Sequence, residues 1–181
     1  MRRTRKQDNN YIILPSVKLE DVCFRYMQEA DLNDVLKIEQ ESFLSPWSKF
    51  YFIHELNFND NALLILMTKR IKYEEVIIGY TDLWKEDDCF HMANFAINPL
   101  YRKQGYGVKF LFFLMEYSYH MNILSMKLEV RVSNNAAINL YKKAGFHAIA
   151  LLPGYYYDNN EDGYLMIADV EKSKNILRNY I

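Results

Sequence analysis

Two spacings of hydrophobic residues recur along the chain, and together they predict a mixed α/β domain. Runs rich in β-branched and aromatic residues predict seven strands, at residues 22–27, 62–68, 76–84, 89–97, 126–132, 146–152 and 164–170. Short polar connectors join the second, third and fourth runs, which is typical of an antiparallel meander. In the fifth run, Met126, Leu128 and Val130 alternate with charged residues, so one face of that strand is apolar.

Apolar residues three and four positions apart predict four helices, which begin after Asp31, at Ser48, at Gly105 and after Ser133 or Asn134. Asp31 and Asn134, or Ser133, are placed as N-caps. Gly145 lies where a left-handed C-cap glycine belongs. The element order is therefore β-α-α-β-β-β-α-β-α-β-β, which predicts a central, mostly antiparallel sheet flanked by helices.

Length and composition are those of one domain with a well-filled core. The chain has 181 residues, of which 50% are hydrophobic and 15% aromatic, with only six glycines and four prolines. Such a composition argues against a disordered chain. We expect a basic, flexible N-terminal extension at residues 1–20, the domain at residues 21–170 and a C-terminal tail at residues 171–181.

The near-zero net charge conceals an uneven distribution. Lys and Arg number 22 against 23 Asp and Glu, and four of the basic residues lie within residues 1–6. The remainder therefore holds 18 positive and 23 negative residues, which favours a cationic substrate over nucleic acid. The basic tip is interpreted as a solvated tail, with binding to nucleic acid or a ribosomal surface as the alternative.

The cysteines and the apolar runs indicate the cellular setting. Cys23 and Cys89 are 66 residues apart, without a CxxC motif or a histidine cluster, so neither a disulfide framework nor a metal site is expected. No apolar run approaches the roughly 18 residues of a membrane span. The run behind the basic tip is too short for a signal-peptide core. We therefore expect a cytoplasmic protein without a membrane partner.

The loop after the fourth predicted strand is the first candidate for chemistry. It is basic and contains Gly105 and Gly107 where the third helix begins. Free backbone N–H groups at a helix start favour phosphate oxygens, which predicts an anion-binding loop. Phe110 stands where a dinucleotide fingerprint has its third glycine, and no Gly-Lys-Ser/Thr follows. A simple chain turn at the two glycines explains the pattern equally well.

A second motif follows the fifth predicted strand. It reads Asn134-x-x-Ala137-x-x-Leu140-Tyr141-x-x-x-Gly145-Phe146. The first loop carries the companion pattern Arg102-x-x-Gly105-x-Gly107. In this order the two motifs resemble the GNAT family of acetyl-CoA-dependent N-acetyltransferases, and the resemblance covers residues 22–170. It implies the GNAT acyl-CoA N-acyltransferase fold, acetyl-CoA as co-substrate and no metal.

The resemblance also implies which residues contact acetyl-CoA. Backbone groups at the end of a strand would hold the pantetheine and acetyl group, at Phe95, Ala96 and Ile97. The pyrophosphate would lie on the backbone amides of the first loop, and the cofactor-binding residues there are Arg102, Lys103, Gln104, Gly105, Tyr106, Gly107 and Val108. Asn134 and Tyr141 would contact the cofactor from the second motif.

Within the family, the chain is most similar to the bacterial ribosomal-protein-alanine N-acetyltransferases. The residues that carry this likeness are Ser45-Pro46-Trp47-Ser48, Leu128-Glu129-Val130-Arg131-x-Ser133-Asn134 and Tyr156-Tyr157. The likeness implies that the acceptor is a protein N-terminal α-amine, that of the N-terminal alanine of ribosomal protein S18. Asp158 stands where these enzymes usually have a proline, which bears on the substrate rather than on the reaction.

The resemblance assigns the catalytic roles to Glu129 and Tyr141. Attack on a thioester needs a neutral amine, and an α-amino group, with a pKa of about 7.7–8.0, needs only a modest base. Glu129 would take the proton, directly or through a water, and Tyr141 would protonate the CoA thiolate. From the residues alone, a solvated charge row with Lys127 and Arg131 is the favoured interpretation of Glu129. Tyr141 could likewise simply pack on the sheet.

Four residues are candidates for contact with the peptide substrate, namely Trp47, Tyr156, Tyr157 and Glu161. Helix packing for Trp47 and stacking within a hairpin for the tyrosines are the alternatives. None of the four histidines is assigned a catalytic role. Two other functions stay open: acetylation of lysine side chains, other N-termini or a small amine, and a non-catalytic acyl-CoA-binding or ribosome-associated module.

Overall fold

The structure is a computed structural model that describes residues 10–181. Within them, seven strands form one sheet, composed of β1 (Cys23–Tyr26), β2 (Ala62–Ile71), β3 (Glu74–Glu86), β4 (Cys89–Ile97), β5 (Ser125–Arg131), β6 (His147–Tyr156) and β7 (Glu161–Asp169). Their order is β1-β2-β3-β4-β5-β7-β6, and only β4 and β5 pair in parallel. The predicted meander and the mostly antiparallel sheet are confirmed.

Over the same residues, five α-helices flank the sheet, namely α1 (Leu32–Ser42), α2 (Lys49–Phe58), α3 (Tyr106–His120), α4 (Asn135–Lys143) and α5 (Val170–Leu177). Polar side chains cap two of them: Ser48 accepts a hydrogen bond from Tyr51 N, and Asn134 accepts one from Ala137 N. Gly145 follows α4 with φ of 93°, the left-handed conformation expected of a C-cap glycine. The four predicted helices are therefore confirmed, and α5 is an addition.

Asp31 precedes α1, but its side chain does not cap that helix as the sequence predicts. The two carboxylate oxygens instead accept hydrogen bonds from Arg25 Nη1 and Nη2, each at 2.8 Å. One oxygen also accepts a bond from Gln28 N at 2.8 Å. A bidentate contact with a guanidinium is stronger than a bond to a neutral amide, which explains the preference.

Hydrophobic side chains fill both faces of the sheet. On one face lies α3, which buries ten of its 15 residues, and Phe113 stacks on Phe24 of β1 with ring centroids 3.7 Å apart. On the other face, α1 and α2 pack Val35 and Phe52 against Tyr80 of β3. None of the helices within residues 10–181 is both long and apolar enough to cross a membrane.

Both ends of the described chain pack against α3, which corrects the predicted extension and tail. Ile12 N donates to Phe24 O at 2.7 Å, and apolar residues between 12 and 19 pack on the core. At the other end, α5 fully buries Leu177, and Arg178 reaches the buried Glu116 of α3 at 2.6 Å. Residues 10–20 and 171–180 therefore belong to the domain. The basic tip lies outside the described residues.

The two parallel strands pair only at one end. Their register comprises three pairs, Cys89↔Ser125, Phe90↔Met126 and His91↔Lys127. Beyond His91, β4 continues to Ile97 paired with β3 alone, and β5 continues to Arg131 paired with β7 alone. The strands therefore part, and their facing backbone edges line an opening in the middle of the sheet.

Candidate active site

A cavity of about 620 Å³ lies where β4 and β5 part. Both strands, α4, the α1–α2 loop and the end of β6 contribute to its walls. The cavity brings together most of the predicted site residues, namely Trp47, Phe95, Glu129, Asn134, Tyr141, Tyr156 and Tyr157. The glycine loop at residues 102–108 lies outside this lining, as do Ala96, Ile97 and Glu161.

Glu129 is held at the cavity wall by a histidine from the neighbouring strand. Its Oε2 lies 2.6 Å from Nε2 of His91, and the two side chains are only 16% and 14% exposed. Sequence reasoning assigned His91 no role, because 38 residues separate the two positions and the register of β4 on β5 is not written in either strand. A strand histidine that faces a strand glutamate becomes visible only once that register is known.

The charged neighbours of Glu129 along β5 have other partners. Lys127 Nζ lies 2.6 Å from Glu86 Oε2, and Arg131 Nη2 lies 2.5 Å from Asp158 Oδ2. Neither cation pairs with Glu129, so the solvated charge row that the pattern alone favours is wrong. A carboxylate that is partly buried and free of these ammonium and guanidinium partners can accept a proton from an amine.

Tyr155, on β6, lies beside Glu129 and was missed as a neighbour of the base. Burial, followed by the negative charge of Glu129, raises the pKa of the Tyr155 phenol above its ordinary value of 10.0. The phenol therefore stays protonated at neutral pH. It provides a hydroxyl donor, in addition to His91, that can orient the Glu129 carboxylate.

Tyr141 lies inside the cavity wall on α4, 7% exposed. Its ring packs between Phe95 and Phe146, with centroid distances of 6.4 and 5.6 Å. Burial raises the pKa of Tyr141 well above the ordinary value of 10.0. Packing on the sheet and proton donation are therefore compatible, because a phenol that stays neutral at physiological pH has a proton to give.

Two loops meet above the cavity through Asp158. Its Oδ2 accepts hydrogen bonds from Arg131 on β5, at 2.5 Å, and from Ser45 in the α1–α2 loop, at 2.9 Å. The Arg131 guanidinium also lies over the Tyr156 ring, 4.0 Å from its centroid. Asp158 and Arg131 thus connect both loops to the sheet at the mouth of the cavity.

Glu161, a predicted substrate contact, already has several donors. Its carboxylate accepts hydrogen bonds from Ser133 N at 2.9 Å, Asn159 Nδ2 at 3.1 Å and Arg131 Nη1 at 3.3 Å. The bonds from Ser133, ahead of those from Asn159 and Arg131, lower the pKa of Glu161 to about 2. A peptide ammonium would have to displace one of these donors, so this geometry points to a structural role.

Trp47 lies in the cavity wall and also packs on α2, as the sequence analysis prefers. Its ring centroid is 4.3 Å from that of Tyr51. Its backbone N donates to Oε1 of the buried Glu39 at 2.7 Å. Glu39 Oε2 also accepts hydrogen bonds from Tyr80 and, at 3.3 Å, Asn94. Burial raises the pKa of Glu39 to about 7, although its hydrogen bonds oppose the shift.

The two glycines of the first loop serve different ends. Gly105 has φ of 84° and precedes α3, and a Cβ there would meet nothing within 4 Å. Lys103 is also left-handed, with φ of 60°. Such alternation turns successive N–H groups toward one side and forms an anion-binding concavity. At Gly107 a Cβ would lie 3.0 Å from Leu140 Cδ2, so this glycine lets α3 approach α4 closely.

Side chains of the same loop are engaged in internal contacts. Arg102 donates to Ile97 O at 2.8 Å and to Ser42 Oγ at 2.6 Å. The Tyr106 hydroxyl accepts a bond from Lys69 at 2.8 Å. An anion at this helix start would therefore be held by backbone N–H groups. Within residues 10–181, no three His, Cys, Asp or Glu side chains are grouped as a metal site would require.

Comparison with known proteins agrees with this geometry. Residues 32–146 match the family described as acetyltransferase (GNAT) family. A Bacillus subtilis protein, provisionally named a ribosomal protein bS18-alanine N-acetyltransferase, is 37% identical over 142 residues, which are 78% of this chain and 91% of that protein. The Haemophilus ducreyi protein named ribosomal protein bS18-alanine N-acetyltransferase is 33% identical over 71% of this chain and 84% of its own.

A solved structure supports the fold assignment. The crystal structure of the ribosomal-protein-S18-alanine N-acetyltransferase from Escherichia coli superimposes with a TM-score of 0.73 at 27% sequence identity. The superposition covers 82% of this chain and 94% of that one. The parted strands and the cavity between them therefore belong to a fold shared with an enzyme of known three-dimensional structure.

Proposed function

The chain belongs to the GNAT family of acetyltransferases, and from that premise we propose that it acetylates a protein N-terminal α-amine, most specifically that of the alanine of ribosomal protein S18. Enzymes of this family use acetyl-CoA as the acetyl donor. One observation carries the proposal: a partly buried carboxylate, Glu129, and a buried phenol, Tyr141, line the same cavity between β4 and β5.

The two side chains supply the two proton transfers that acetylation requires. An α-ammonium must lose a proton before its nitrogen can attack the thioester, and Glu129 accepts that proton, directly or through a water. When the C–S bond breaks, the CoA sulfur leaves as a thiolate. Tyr141 donates its phenolic proton there and regains a proton as the amide nitrogen loses its second one. Overall, one proton remains on the CoA thiol and one leaves for solvent.

The parted strands explain how acetyl-CoA would be held. Between residues 92 and 97, β4 has no strand partner on its β5 side, so backbone groups there are available to the pantetheine amides. The left-handed residues Lys103 and Gly105 prepare the N-terminus of α3 for the pyrophosphate. Asn134 contributes through its position at the cavity wall, with its side-chain oxygen already used as the cap of α4.

The acceptor peptide would approach between the α1–α2 loop and the end of β6. Trp47, Tyr156 and Tyr157 line that side of the cavity, and Tyr157 is 95% exposed at its mouth. Aromatic side chains suit a peptide backbone because they offer large, rigid contact surfaces. The proposed reaction takes place in the cytoplasm, and its only macromolecular partner is the acceptor protein.

A peptide panel tests the proposal. The purified chain is incubated with acetyl-CoA and with peptides that begin with the alanine sequence of ribosomal protein S18, with the same peptides blocked at the N-terminus, and with small amines. Mass spectrometry then locates the acetyl group. We expect acetylation of the free α-amine only. Acetylated lysine in the blocked peptides without α-amine acetylation would favour a lysine acetyltransferase, and binding of acetyl-CoA without any turnover would favour a non-catalytic module.

A further inference from the structure

We propose that His91 and Glu86 form a proton relay that carries the proton accepted by Glu129 out of the cavity to solvent. The inference rests on the proposed function, because it concerns the proton that N-acetylation must release. The family motifs include neither His91 nor Glu86, and the sequence pattern assigns neither of them a role. The relay is inferred from contacts between β3, β4 and β5.

The three side chains form a continuous chain of contacts. Nε2 of His91 lies 2.6 Å from Oε2 of Glu129, and Nδ1 of the same ring lies 3.4 Å from Oε1 of Glu86. The exposed fraction of the side chains is 16% at Glu129, 14% at His91 and 44% at Glu86. An imidazole with one carboxylate at each ring nitrogen can accept a proton at one side and release it at the other.

The surroundings of His91 favour this use. From β3, the edge-on Trp84 ring lies 5.4 Å from the imidazole, and its indole N–H donates to Glu55 of α2. From β5, the charged groups that face His91 are Glu129 and Lys127, the residue that pairs with His91 in the sheet.

Lys127 Nζ lies 2.6 Å from Glu86 Oε2 and lowers the pKa of Glu86 below its ordinary value. Glu86 therefore remains a carboxylate at neutral pH. An imidazolium at His91 would be stabilised by two carboxylates, those of Glu86 and Glu129, and opposed by one ammonium.

The proton balance is simple. The ammonium of the acceptor loses a proton to the Glu129 carboxylate, and an N–H bond is exchanged for an O–H bond. Glu129 passes this proton to Nε2 of neutral His91, which becomes an imidazolium. The ring then releases its Nδ1 proton to water beside Glu86 and returns to its starting tautomer by exchange with that water. Glu129 is again a carboxylate before the next acceptor binds.

The relay differs from a purely positioning role for His91, and two substitutions separate them. His91→Gln keeps a side-chain N–H that can hold Glu129 but cannot take up a proton. His91→Ala removes the ring and leaves space beside Glu129. His147→Gln on β6 is the matched control, because His147 is exposed and does not line the cavity.

Steady-state acetylation by these variants is measured from pH 6 to 9, with the acceptor peptide that the wild-type protein acetylates. We expect His91→Gln to lower kcat by roughly 10- to 100-fold, with both KM values within about twofold and with a changed pH profile. Added imidazole should raise kcat of His91→Ala and leave wild type and His147→Gln unaffected.

Two results would overturn the relay while leaving the proposed function intact. One is a His91→Gln variant with the wild-type kcat and pH profile. The other is a loss of kcat in His91→Ala that imidazole does not restore, together with nearly normal turnover by His91→Gln, which would assign His91 to positioning alone. A wild-type protein that acetylates no amine would instead overturn the proposed function, and the relay with it.

Discussion

The carboxylate of Glu39, at the centre of α1, accepts a hydrogen bond from the backbone N of Trp47, and the two atoms are 2.7 Å apart. This bond ties the loop that lines the peptide side of the cavity to a helix buried against the sheet. Glu39 is 1% exposed and has further donors in Asn94 and Tyr80. The position of the loop therefore depends on a buried group that titrates near neutral pH.

The free energy of unfolding should fall as pH rises from about 4.5 to 7. Burial raises the pKa of Glu39 from 4.5 to about 7, so in this window the folded state keeps a proton that the unfolded chain has released. Glu39→Gln should reduce the fall by about 3 kcal/mol. Urea denaturation at pH 5 and 8 measures it. A residual slope is expected from Asp82, whose pKa burial also raises to about 7.

Glu41→Gln is the matched control, because Glu41 lies on the same helix but is exposed. It should leave the pH dependence of unfolding unchanged. The interpretation of Glu39 fails if Glu39→Gln and Glu41→Gln show the same slope as wild type.

Removal of the Asp158 carboxylate should weaken peptide binding. Asp158 neutralises Arg131 at the mouth of the cavity and receives a hydrogen bond from Ser45. In Asp158→Ala the unpaired guanidinium would repel a cationic N-terminus, so KM for the peptide should rise by about 3- to 10-fold, with KM for acetyl-CoA unchanged. Ser45→Ala removes only the link between the loops and should have the smaller effect. Equal peptide KM values in wild type and Asp158→Ala would refute this role.

Substitutions of the two loop glycines should have opposite consequences. Gly107→Trp drives a large side chain between α3 and Leu140 and should abolish acetyl-CoA binding in calorimetry. Gly105→Ala fills no occupied space but strains a left-handed residue. It should lower the free energy of unfolding by about 1 kcal/mol and leave binding in place. A folded Gly107→Trp variant with wild-type affinity for acetyl-CoA would contradict the proposed binding site at the start of α3.

Tyr141→Phe should lower kcat by roughly 10- to 100-fold and leave acetyl-CoA affinity unchanged, because the ring still packs but has no proton to donate. Since burial keeps the pKa of Tyr141 above its ordinary value, the Tyr141 hydroxyl should cause no loss of activity below pH 9. Tyr164→Phe on β7, outside the cavity lining, is the matched control. A Tyr141→Phe variant as active as that control would exclude proton donation by Tyr141.

The sequence predicts the strands, four of the helices and the gathering of Glu129 and Tyr141, because each depends on local spacing. Alternation in β5 identifies which side chains share a face, and the helical motif places Tyr141 beside it. The contact between His91 and Glu129 depends instead on the register of two parallel strands. That register is set by the packing of the whole sheet rather than by either segment.

The ends of the domain were misassigned for a related reason. Helix α5 has eight residues, too few for a clear periodicity, and its stability comes from packing on α3. The bond between Ser45 and Asp158 joins positions 113 residues apart. It arises only when both loops are fixed over the cavity. Such contacts have no counterpart in local pattern, and the substrate side of the site is built from them.

The most direct test of the central claim is acetyl transfer to an S18 N-terminal peptide by wild type and by Glu129→Gln, followed by mass spectrometry. The account predicts acetylation of the α-amine by wild type. It predicts a kcat lower by about 100-fold or more in Glu129→Gln, with acetyl-CoA still bound. Equal turnover by the two proteins, or no α-amine acetylation by wild type, would contradict it.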